Sequence, residues 1–196
     1  MYRKRRLHKE NRKTFDSHLS ELLLEEEGEE KSGDEVTQKE RRAVQEFDGH
    51  WLSVLDIDFF KSVNDNFGHV YGDEVLLIFS NIMTKSFRSG DILFRYGGEE
   101  FVVVLAPTKC EDATKVFERF RLAVEAYDFP KVGKITVSIG MASLGDKNHP
   151  TTILGYADEA LYYAKGNGRN QVQNYHTLID ANLLKAKTID TDVELF

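Results

Sequence analysis

The chain has 196 residues, 41% of them hydrophobic, enough for one substantial core in a single α/β-sized domain with extra length at its ends. A formal net charge of −7 argues against broad nucleic-acid binding, which needs a basic face to displace counterions, so any phosphate ligand must meet local cations or a metal. Cys110 is the only cysteine, which excludes an intrachain disulfide; no apolar stretch reaches membrane-span length and the basic start lacks a secretory apolar segment, so the expected location is cytoplasmic.

Seven Lys or Arg fall within the first thirteen residues, and residues 1–10 read as a basic lead-in. A solvated linker explains it more simply than contact with anionic lipid or another domain. "TFDSHLSELLLEEE" then places Phe15, Leu19, Leu22 and Leu23 on one helical face, and "EEEGEEKSGDE" reads as an acidic loop. Helix is expected again around "TQKERRAVQEF", followed by the strand "HWLSVLDID", whose nearly continuous apolar run is of the buried kind. Two helices follow, "FFKSVNDNF" and "GDEVLLIFSNIMTKSF", the second with Val75, Ile78, Phe79, Ile82 and Met83 at core-facing spacing. "DILFRY" and "FVVVLA" flank a Gly-Gly turn and predict a hairpin. A helix at "DATKVFERFRLAVEAY", a strand at "KITVSIGMAS", a helix at "TTILGYADEALYYAK" ending at Gly166, and a strand at "RNQVQNY" complete the order. The central hairpin breaks β-α-β alternation, so the expected fold is an α/β (α+β) sandwich with a mostly antiparallel sheet flanked by helices. Residues 176–196 carry no clear signal.

Asp56 and Asp58 interrupt an apolar strand as it ends, and alternation points them to the same face. Asp58 equally fits as the N-cap of a helix starting at Phe59. A second acidic pair, Glu99 and Glu100, stands on the hairpin tip behind Gly97 and Gly98. If the strand packs beside the hairpin, Asp56 and Glu99 converge and can hold Mg²⁺, which prefers a few carboxylates, water and substrate phosphates, with the Ile57 carbonyl as an extra ligand. The glycines would let a triphosphate lie against the backbone; alternatively, the tip is only a charged, soluble turn. Asp73 has the paired acceptors that match the N1–H and N2–H₂ donors of guanine, assisted by Asn64, although both positions also suit helix ends. Lys165 and Arg169, on either side of a two-glycine loop, can neutralise phosphates; Lys165 alone would simply complement a helix dipole.

Together, "DIDFFKSVNDNFGHVYGDEVL", "RYGGEEF", "TVSIG" and "ADEALYYAKGNGRN" resemble the GGDEF family, diguanylate cyclases that make cyclic di-GMP from two GTP, over residues 11–175. The resemblance implies a nucleotidyl-cyclase and polymerase-palm type of fold with a catalytic hairpin. It implies metal ligation by Asp56, the Ile57 carbonyl and Glu99, with two Mg²⁺ per active site and Mn²⁺ as the alternative ion. Glu99 would also deprotonate the attacking 3′-hydroxyl, and Glu100 would contribute near the metals in a role left open. Asn64 and Asp73 match guanine-binding positions, and His69 a position near substrate. Lys61, Lys165 and Arg169 match phosphate contacts, helped by the backbone amides of Phe59 and Phe60. Two domains, each with one GTP, would meet as a two-fold homodimer.

The family's product-inhibition site is R-x-x-D, and Arg88 and Asp91 in "RSGD" fit its spacing before the signature glycines. The guanidinium suits the N7 and O6 edge of guanine. A third contact falls to Arg119 or Arg121, and a simple turn closed by Asp91 is the competing account. The opening departs from the family pattern, keeping only Asn11-Arg12 after "RRLHKE". How an upstream sensory domain, which the chain does not contain, would join it is therefore open. Two alternatives to an active, product-inhibited cyclase are a degenerate module that senses GTP or cyclic di-GMP, and a cyclase of mixed base choice. Retention of Asp56, Glu99, Glu100, Lys165 and Arg169 argues against the first, and Asp73 against the second.

Overall fold

The computed structural model describes residues 49–144 and 150–185. The basic lead-in, the amphipathic stretch at 15–23, the acidic loop and the helix expected around residues 37–47 lie outside the described residues, as do residues 186–196. The described elements run β1 (Gly49–Ile57), α1 (Phe60–Phe67), α2 (His69–Ser86), β2 (Ile92–Gly97), β3 (Glu100–Thr108), α3 (Cys110–Ala126), β4 (Val137–Ser143), α4 (Pro150–Gly166), β5 (Val172–Asn174) and α5 (Tyr175–Asp180).

The strands form one sheet in the order β2-β3-β1-β4-β5. The pairs β2/β3, β3/β1 and β1/β4 are antiparallel and β4/β5 is parallel, as the broken β-α-β alternation predicts. Central β1 is buried along nearly its whole length, which explains its continuous apolar run. Its alternate residues feed two cores. Trp51, Leu55 and Ile57 face α1, α2 and α3 through Phe60, Val63, Phe79, Met83 and Phe120. Leu52 and Val54 face α4 and α5 through Ile153, Ala157, Leu161, Tyr175 and Leu178. Phe79 is fully buried against the rings of Phe101 and Phe120, at 4.8 and 5.4 Å between centroids. Its truncation to alanine would cost about 3–5 kcal/mol.

Two local details set up the site. Gly140 on β4 lies against the backbone of Ala157 and Leu161, where a Cβ would collide, so α4 packs close to the sheet and carries Lys165 toward the end of β1. The second predicted helix starts earlier than "GDEV" suggests, at His69, so Asp73 sits inside α2 and does not cap it. The segment after residue 175, which shows no periodicity, forms the short α5, anchored by buried Tyr175 and Leu178. Among the described residues, no helix is long and apolar enough to cross a membrane.

Candidate active site

The site lies where β1 ends beside the tip of the β2–β3 hairpin. Register pairs Asp56 with Glu100 on β3 and with Ser138 on β4. In an antiparallel pair, directly opposed residues share a face. Glu100, not Glu99, is therefore the immediate cross-strand neighbour of Asp56. Glu99 lies in the turn, where its carbonyl accepts from the Ile57 N–H at 3.5 Å. That turn is stapled from below: Arg95 donates through Nε and Nη2 to the Gly98 carbonyl at 3.1 and 2.8 Å, and Gly98 has φ +43°. Sequence reasoning gave Arg95 no role; its place two residues before the glycines was the available signal.

Asp56 is only 6% exposed and pairs with Lys165, whose Nζ lies 2.8 Å from Oδ2. Burial is the main cause that raises the Asp56 carboxyl above its ordinary value; the negative charges of Glu99 and Glu100 add to it, against the lowering effect of Lys165. A carboxylate held this way gains from any added positive charge. The donor set is chemically that of a hard divalent cation: oxygen atoms of Asp56, Glu99 and Glu100 with the Ile57 carbonyl adjacent. Among the described residues no three His, Cys, Asp or Glu side chains are gathered closely enough to form a complete cage.

Asp58 behaves differently from its expected capping role. The N-cap of α1 is Phe59, in a left-handed conformation at φ 57°, and no side chain caps that first turn. The Asp58 carboxylate accepts instead from Thr136 Oγ1 and Ser138 Oγ, each at 2.7 Å, and from the Asn170 N–H at 3.1 Å. Both aspartates thus engage the α4 side of the sheet, as alternation predicts. Phe59 is 64% exposed, and the Arg169 guanidinium carbon stands 4.5 Å from its ring centroid.

The start of α1 has no side-chain cap; Phe59 and Lys61 are exposed there, while Phe60 is buried in the core. Asn64, further along α1, lies against α2 where Gly72 has no side chain; a Cβ there would overlap the Asn64 carboxamide. Asp73, next to that glycine, and His69 are exposed on the first turns of α2. Sequence reasoning missed Gly72, because its reason is a contact between helices.

Arg88 and Asp91 sit at the opposite end of β2, about 20 Å from the hairpin tip at 3.3 Å per residue. Asp91 closes the turn by accepting from the Arg88 N–H at 2.6 Å, and its other oxygen accepts from the Ala106 N–H at 3.1 Å, while Arg88 is exposed. Arg119 donates to the Ser86 carbonyl at 2.7 Å, beside this turn. Arg121 is engaged elsewhere, with Glu118, Glu125 and Asn170.

A family model described as the GGDEF domain of diguanylate cyclases matches residues 33–171. The chain belongs to the GGDEF family, as its motifs implied. It is 43% identical to the response regulator PleD of Caulobacter vibrioides over 125 residues, 61% of this chain and 28% of that protein. It is 44% identical to diguanylate cyclase A of Treponema denticola over 140 residues, 69% of this chain and 36% of that protein. The chain thus spans about a third of the length of these curated relatives. Among solved structures, the GGDEF domain of DgcB from Caulobacter crescentus, in complex with c-di-GMP, matches with TM-score 0.71 at 29% identity over 88% of this chain and 99% of that one. The active GGEEF domain of a Vibrio cholerae diguanylate cyclase matches with TM-score 0.67 at 29% identity, over 84% and 96% of the two chains.

Proposed function

We propose that this chain is the catalytic domain of a diguanylate cyclase, two copies of which condense two GTP into cyclic di-GMP and two pyrophosphates. The observation that carries this reading is the buried Asp56, opposite Glu100 and paired with Lys165 beneath the Gly97-Gly98 turn. Family membership and the Vibrio cholerae neighbour support it.

In this reading, Asp73 and Asn64 bind the guanine edge with His69 nearby, and Gly72 lets Asn64 reach its place. Lys61, Lys165, Arg169 and the amides of Phe59 and Phe60 hold the phosphates. The 3′-oxygen of one GTP attacks the α-phosphorus of the other; the new P–O bond forms as the α–β anhydride breaks, and pyrophosphate leaves. Glu99 takes the 3′-hydroxyl proton, and the same step in the other direction closes the ring. Divalent ions, Mg²⁺ or Mn²⁺, held by Asp56, the Ile57 carbonyl, Glu99 and Glu100, would supply charge neutralisation on the phosphates and acidify the hydroxyl. Lys165 covers the Asp56 charge until nucleotide arrives and then turns to phosphate.

Each copy holds one GTP, so turnover needs a two-fold homodimer. Product inhibition acts through Arg88 and Asp91, with Arg119 as the third contact, because it lies beside their turn while Arg121 is engaged on another face. The test is incubation of the purified chain with GTP and Mg²⁺ at high protein concentration, with chromatography for cyclic di-GMP. Product from the wild type and none from Glu99→Ala is expected; bound GTP without product would favour a sensor.

A further inference from the structure

The loop between α4 and β5 carries Arg169 in a backbone conformation that few residues adopt. Gly168, Arg169 and Asn170 all have positive φ, at 107°, 61° and 46°. Side-chain-bearing residues persist in that region only where their surroundings over-determine them. Here the surroundings are specific. The Asn170 N–H donates to Asp58, while its side chain accepts from Arg121 at 2.8 Å and donates to Glu125 at 2.7 Å, both on α3. The Arg169 N–H returns to the Ala164 carbonyl at 2.9 Å, closing the end of α4.

Asp58 is the hub of this arrangement. It is 4% exposed, and its three donors come from Thr136 and Ser138, before and within β4, and from the Arg169 loop. Its neighbour Phe59 is itself left-handed, which turns the ring outward beneath the Arg169 guanidinium. Two adjacent residues of one turn thus grip two adjacent residues of another: Asp58 holds the Asn170 backbone, and Phe59 supports the Arg169 side chain.

We propose that Asp58 is a positioning residue for the triphosphate: it touches no nucleotide, and its hydrogen bond to Asn170 holds Arg169 where the phosphates bind. The proposal rests on the reading of Arg169 as a phosphate contact. A carboxylate serving only stability would act on all ligands alike. Positioning through Arg169 acts on ligands with β- and γ-phosphates, and only while Arg169 is present.

The test is a double-mutant cycle read by calorimetric titration with Mg²⁺ and 3′-deoxy-GTP, which lacks the attacking hydroxyl, and in parallel with GMP. Arg169→Ala and Asp58→Ala should each weaken 3′-deoxy-GTP binding about tenfold, the double variant should be no weaker than Arg169→Ala alone, and GMP affinity should not change. Losses that multiply in the double variant, or wild-type affinity in a folded Asp58→Ala protein, would overturn the proposal. If Arg169→Ala leaves 3′-deoxy-GTP binding unchanged, the phosphate reading of Arg169 falls, and the proposal with it. Should Asp58→Ala fail to fold, Asn170→Gly enters the same cycle. Glycine keeps the N–H and suits the positive φ but drops the anchors to Arg121 and Glu125. It should weaken 3′-deoxy-GTP about threefold, and only when Arg169 is present; a loss of the same size without Arg169, or no loss at all, would count against positioning.

Discussion

Asp56 and Asp58 stand two residues apart, both nearly buried, in surroundings built on opposite principles. Asp58 is surrounded by neutral donors: two hydroxyls and a backbone N–H share its two oxygens. Asp56 has one ammonium partner and two carboxylates nearby, and its burial together with those carboxylates outweighs the stabilisation from Lys165. A buried carboxylate whose acceptors are filled by neutral donors adds rigidity, whereas one left in excess negative charge is poised to take a cation. In the proposed reading, this contrast divides scaffold from chemistry within one tripeptide.

Replacing a group on the chemical side should remove activity and spare the fold. Glu99→Ala is expected to lower cyclic di-GMP formation by about a thousandfold or more, with a melting temperature close to wild type, since Glu99 is half-exposed in a turn. Replacing a group on the scaffold side should lower stability as well as loosen the phosphate contact it positions. Asp58→Ala leaves the Thr136 and Ser138 hydroxyls and the Asn170 N–H without their acceptor and should cost about 2–4 kcal/mol, visible as a lower urea midpoint.

These two predictions draw on different depths of sequence information. The hairpin, the buried β1, the core face of α2 and the existence of α3 were legible because each depends on residues close in the chain. Asp56 and Glu99 stood out only jointly: a strand-end aspartate and a charged glycine turn are each ordinary alone, and the motifs occurring together and in order singled them out as candidates. The partners of Asp58 lie 78, 80 and 112 residues away, so nothing local distinguished it from a helix cap. Glu100 stayed undefined because its face depends on the β1–β3 register, which no single strand reveals. Gly72 reads as an ordinary helix glycine until Asn64 is seen against it.

Smaller effects sharpen the comparison. Gly72→Ala should displace Asn64 and weaken GTP binding about tenfold, with little change in affinity for inorganic triphosphate, as measured by calorimetry. Arg88→Ala, far from both aspartates, should leave the initial rate unchanged and raise the cyclic di-GMP concentration needed for half-inhibition about tenfold in progress curves. The smallest effect is a pH dependence in the metal-free chain. Because the Asp56 carboxyl lies above its ordinary value of 3.8, the folded state binds more protons than the unfolded state between that value and the raised one. The corresponding stabilisation is complete below the ordinary value and is lost as pH rises through the folded one. Thermal unfolding in EDTA should show this falling component in the wild type and not in Asp56→Asn.

Asp56→Asn tests the central claim most directly, through one paired reading of GTP turnover and melting temperature on the same sample. Removing a charge that burial and two glutamates oppose should abolish cyclic di-GMP formation while the melting temperature stays at or above that of the metal-free wild type. Turnover that survives the substitution, or that disappears together with the fold, would contradict the assignment of Asp56 to chemistry.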